Sequence, residues 1–128
     1  MDKTNNIELL NFILESIKII QERFKEIGSS DDFLNSQDGM MRLDAISMRL
    51  QSIGEALKNI EKRDRKLLLE VADKIYWSKI IKTGEIISHH YIDIDSEIVY
   101  MICDEKLDEL ENKVSILIDK LLDKDISL

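Results

Sequence analysis

The sequence predicts an all-α protein, an antiparallel bundle of four to five helices, and three observations carry that prediction. Apolar residues recur at steps of three and four through most of the chain, which puts them on one face of successive helices. Pro is absent and Gly occurs four times in 128 residues, so little in the composition would break long helices. The stretches between periodic segments are short and polar, and short connections make neighbouring helices antiparallel. The length suits one domain, residues 1–128, built around one buried core.

The first helix is expected from about residue 5 to residue 27, with Thr4 as N-cap, an apolar face of Ile7, Leu10, Ile13, Leu14, Ile17, Ile20, Phe24 and Ile27, and Gly28 as C-cap. A polar loop, Ser29-Ser30-Asp31-Asp32, then leads past Phe33. Ser36 or Asp38 can open a second helix whose stripe runs Leu43, Ile46, Leu50, Ile53, Leu57, Ile60. Gly54 stands inside that helix, where glycine costs about 1 kcal/mol relative to Ala, so either a second element comes close there or the glycine is merely tolerated. The charged run Glu61 to Lys66 reads as a solvated turn, followed by a short helical piece with Leu67, Leu68, Val71 and Ala72. After Asp73 comes a helix with Trp77, Ile80, Ile81, Ile86 and Ile87, Gly84 in its middle and His89-His90-Tyr91 at its end. Asp93 and Asp95 can cap the last helix, which carries Ile98, Val99, Ile102, Leu107, Leu110, Val114, Leu117, Ile118 and Leu121.

A net charge of −8 argues against a broad basic surface for nucleic acid, so RNA would have to be met at a local site. The N-terminus has no long apolar run with a cleavage site, and no window reaches the roughly 20 apolar residues of a membrane span, so a cytoplasmic protein with no membrane partner is expected. The sole cysteine, Cys103, reads as a small buried hydrophobe.

Chemistry-bearing residues collect at one place. The two histidines are adjacent, which suits no metal site of helical spacing, and no glycine-rich phosphate loop, nucleophile elbow or paired-cysteine motif is present. Neither a metal nor a cofactor is therefore expected. Glu85 and His89 stand four apart on one helix face, where the carboxylate can accept from the imidazole and orient it as a general base. Tyr91 can present its hydroxyl nearby; the bland alternative is an exposed polar helix end.

Three stretches resemble the HEPN proteins of the HepT-like toxin branch: Met41 to Ile60 with Ile53-Gly54-Glu55-Ala56, Tyr76 to Tyr100 with His89-His90-Tyr91 and Asp95 before Ile98-Val99, and the leucine-rich last helix. Trp77 stands where that family carries a Trp. The resemblance implies a metal-independent ribonuclease, toxin component of a HEPN/nucleotidyltransferase toxin–antitoxin system. It also implies a homodimer with a cleft shared between copies, RNA as substrate, and a minimal nucleotidyltransferase antitoxin that adds AMP to a tyrosine. Against the family signature R-N-x-x-x-H-x-Y, His89 matches the catalytic histidine and Tyr91 the AMP acceptor, whereas Gly84 and Glu85 stand at the Arg and Asn positions. Gly84 cannot hold a phosphate, and the acidic Glu85 is expected to repel it. Lys82, two turns before His89, is a candidate phosphate contact. Two alternatives remain: a catalytically inactive pseudoenzyme that serves as a nucleotide- or partner-binding dimeric module, and a helical adaptor with a likeness of fold alone. Gly84→Arg with Glu85→Asn is expected to raise cleavage if the arginine has room.

Overall fold

A computed structural model describes residues 3–89 and 94–126, and the side chains of 6–87 and 94–123. Among the described residues the regular elements are all helical: α1 (Lys3–Phe24), a 3₁₀ turn (Ser30–Phe33), α2 (Gln37–Leu69), α3 (Lys74–His89), α4 (Ser96–Met101), a π turn (Ile102–Lys106) and α5 (Leu107–Ile126). The all-α bundle expected from periodicity is the fold.

The apolar stripes decide the packing. From α1, Leu10, Ile13, Ile17 and Ile20 are fully buried, and they meet Ile46, Leu57 and Ile60 of α2 and Val114, Leu117 and Leu121 of α5 in one core. α1 packs against both α2 and α5, while α3 packs along α2. Phe33 of the 3₁₀ turn is fully buried and lies 6.3 Å, ring to ring, from Phe24, which in turn lies 5.2 Å from Tyr100. Tyr100 donates its hydroxyl to the carbonyl of Gly28 at 3.0 Å, which ties α4 to the loop after α1.

The caps explain most boundaries. Ser36 accepts from the Gly39 N–H at 2.9 Å and Asp95 from those of Glu97 and Ile98, so both expected caps satisfy donors left open at a helix start. Asp93 lies outside the described residues. Asp73 caps α3 by accepting from the Tyr76 N–H at 2.8 Å. At the other end of α1, Arg42 donates to the carbonyl of Arg23 at 2.8 Å.

Three expectations need correction. α1 begins at Lys3, so Thr4 is inside the helix and not its N-cap. The helix also stops at Phe24, with Ile27 reached through a turn that bonds its N–H to the Phe24 carbonyl; Gly28 is thus not the C-cap. The charged run Glu61 to Lys66 holds the expected break, but over a single residue and not a whole turn: α2 runs to Leu69 and is interrupted at Asp64, whose backbone leaves the helical region (φ −153, ψ 70). Asp64 restarts the helix by accepting from the Leu67 N–H at 3.2 Å, and Leu67 and Leu68 then return to the core.

Cys103 sits half-buried in the π turn against the core, and burial pushes its thiol up to about 12, so the reactive thiolate is scarce at neutral pH.

Trp77 fastens α3 to the end of α2. Its indole N–H, buried, donates to the carbonyls of Leu68 at 2.8 Å and Ala72 at 3.2 Å, which ties α3 to the end of α2 and the turn after it. Trp77→Phe keeps an aromatic body but loses both bonds and leaves space in the core. We expect it to lower stability by about 1–3 kcal/mol, read as a fall of several degrees in melting temperature by circular dichroism.

Candidate functional site

α2 and α3 cross at their interior glycines. A Cβ added at Gly54 would meet the Cα of Gly84 at 3.2 Å, and one added at Gly84 would meet the Cα of Gly54 at the same distance and the Leu50 carbonyl oxygen at 3.5 Å. Both glycines are buried. The close approach that Gly54 suggested is therefore real, and its counterpart is Gly84, the position matched to the signature arginine. No side chain fits there without parting two backbones, because the neighbour is main chain and cannot rotate away.

Glu85 follows directly and turns out of the crossing. Its Oε1 pairs with the Lys58 Nζ of α2 at 3.3 Å, with both side chains about 40% exposed (40% and 42%). A half-exposed pair of this kind stabilises the fold by only about 0–1 kcal/mol. It does alter the charge of the site, since the carboxylate expected to repel a phosphate is already partnered by a cation. Sequence reasoning missed Lys58 because its partner is 27 residues away. The signal was nonetheless there: once the two isolated glycines are taken as a crossing, Lys58 lies one turn after the first and Glu85 one residue after the second.

The remaining site residues divide. His89 is the last residue of α3, one turn beyond Glu85, so the i,i+4 relation holds along the backbone. His90 and Tyr91 lie outside the described residues. Lys82 is exposed and lines a groove of about 630 Å³. That groove runs between α3 on one side and α4, the π turn and α5 on the other, with Leu50 and Ile53 of α2 at its floor. Its apolar rim stays open to solvent: Ile75 is 65%, Ile86 45% and Met101 41% exposed. Lys79 and Lys106 also line it.

At one end Tyr76 packs its ring edge-on to Trp77 and under the Lys113 ammonium, 4.9 Å away. Burial, reinforced by Glu109, holds its hydroxyl protonated far above the usual tyrosine range, so Tyr76 is no acid–base group at neutral pH. Among the described residues no cluster of three or more His, Cys, Asp or Glu could hold a metal ion, and no helix is long and apolar enough to cross a membrane.

Its described elements place the chain among small all-α helical-bundle domains. Residues 13–117 match the model of the family described as Ribonuclease HepT-like, and the chain belongs to that family. A protein of Methanocaldococcus jannaschii named "Gamma-glutamylcyclotransferase and putative RNase" is 29% identical over 112 residues, covering 88% of this chain and 47% of the relative. The chain thus spans about half the length of that curated relative. No solved structure gives a significant match.

The crossing bears on the expected restoration of the signature. Gly84→Arg brings a Cβ to 3.2 Å from the Gly54 Cα, so α2 has to give by a few tenths of an ångström, and we expect the variant to lower stability by about 1–3 kcal/mol through overpacking. Thermal melts of Gly84→Arg beside Glu85→Asn check this: the second variant, at a half-exposed position, should melt close to wild type.

Proposed function

We propose that this chain is the ribonuclease component of a HEPN/nucleotidyltransferase toxin–antitoxin pair, working as a homodimer on RNA in the cytoplasm. The observation that carries the reading is membership of the HepT-like ribonuclease family, joined to a His-x-Tyr motif in the sequence whose His89 is the last residue of α3. The RNase in the relative's name points the same way. In this reading His89 is the base. It takes the proton of an RNA 2′-hydroxyl, the oxygen attacks the adjacent phosphorus, the P–O5′ bond breaks, the leaving 5′-oxygen takes a proton from water, and a 2′,3′-cyclic phosphate remains. Glu85, one turn back, orients the imidazole through the oxygen not engaged by Lys58. Tyr91 is the acceptor of AMP from the antitoxin.

The homodimer draws support from the groove. Ile75, Ile86 and Met101 are apolar, exposed and on facing walls, a surface that a second copy could cover. The inactive, partner-binding alternative is favoured by one observation: position 84 is a glycine packed tightly against α2, with no side chain to hold a phosphate. Cleavage is therefore expected to be slow, since losing a donor to a developing anion costs on the order of 100-fold in rate.

Purified protein incubated with single-stranded RNA should show weak cleavage that His89→Ala abolishes. Robust cleavage that His89→Ala leaves unchanged would show the site to be wrong. Light scattering at micromolar concentration should give a dimer, and Ile86→Glu a monomer; a monomeric wild type removes the shared cleft. Coexpression with the neighbouring nucleotidyltransferase should add AMP to Tyr91, detected by mass spectrometry and lost in Tyr91→Phe.

A further inference from the structure

The crossing that packs a glycine at position 84 also delivers a cation from the other helix. A site that cuts a phosphodiester must hold the phosphate while charge develops on it. Gly84 has no side chain to do so, and it lies tight against α2, where an added Cβ would stand 3.2 Å from the Gly54 Cα. Four residues after Gly54, α2 presents Lys58, and its ammonium reaches α3 at Glu85, 3.3 Å away. One crossing thus fixes both facts. We infer that Lys58 is the phosphate contact of this site, brought from α2 in place of the signature arginine and held ready by Glu85.

Distance favours Lys58 over Lys82. Along α3, residue 85 is one turn from His89, about 6 Å of rise, whereas residue 82 is two turns away, about 10.5 Å. The chemistry is compatible with the pair. An ammonium has three donors, so Lys58 can keep its bond to Glu85 and still offer two to phosphate oxygens. It is 40% exposed, which leaves it open to a ligand without rearrangement of the core. A lysine lacks the planar fork of arginine, so the contact is a point charge and less geometrically exacting.

The inference rests on the ribonuclease reading, and the test separates the two. A short fluorescein-labelled single strand with 2′-O-methyl sugars binds but cannot be cut through the 2′-hydroxyl, and its anisotropy is followed across a salt series. Each phosphate contact to a single strand adds about 0.7 to the steepness of log affinity against log salt. Lys58→Met should lower the steepness by that amount, and Lys58→Arg should keep it. Lys25→Met, the same charge change at an exposed surface pair with Glu22, should leave it at the wild-type value. A merely structural role for Lys58 would change melting and not the salt slope. Lys58→Met with the wild-type slope, or with no more loss than Lys25→Met, overturns the inference and leaves the ribonuclease reading standing. Failure of the wild-type protein to bind the strand at low salt overturns that reading, and the inference with it.

Discussion

The approach of two backbones at Gly54 and Gly84 sets the terms for everything around the site. With no side chains between them, α2 and α3 pack at van der Waals distance, and each residue near the crossing is assigned a side by helical period alone. Ile81 and Ile87 turn to the core, Glu85 meets Lys58, and Lys82 and Ile86 face outward. Trp77 secures the same pair of helices further along by bonding the carbonyls that end α2. The helix that ends at His89 is thus held at two points, and its outer face is left free.

That arrangement changes what the altered signature means. As bare sequence, Gly and Glu in place of Arg and Asn look like simple loss of a charged fork. In the folded chain the glycine is a packing residue, since its Cβ-less surface is what α2 lies against, and the glutamate is half of an interhelical ion pair. Position 84 serves packing, and the ion pair lies at the next residue and on the facing helix. The open groove beside α3 is apolar at its walls and bordered by lysines.

Much of this was legible in the sequence, and the exceptions have physical causes. Periodicity placed the helices because burial of one face is what stabilises them; Ser36 and Asp95 marked helix starts because their side chains fit open N–H groups. Gly54 announced a close approach, but a lone chain does not say with what, so Gly84 was read for its missing arginine and not for its contact. Charge was a mixed guide. The run Glu61 to Lys66 marked a real break, but one confined to Asp64, past which Leu67 and Leu68 return to the core. Glu85 looked repulsive because an ion pair across 27 residues leaves no local trace.

The π turn in the last helix has a consequence in phase. An α-helix rotates about 100° per residue, so the eight steps from Val99 to Leu107 would leave the second about 80° away from the first. A π turn absorbs one extra residue in a single widened loop, and the two then differ by about 20°, as if seven steps had passed. Val99 and Leu107 are accordingly both buried, and Leu110, Val114, Leu117 and Leu121 continue the stripe. The bulge works as a gear change: α4 meshes with the aromatic cluster of Phe24 and Phe33, α5 meshes with α1, and one rod serves two surfaces that a uniform pitch would have set out of step.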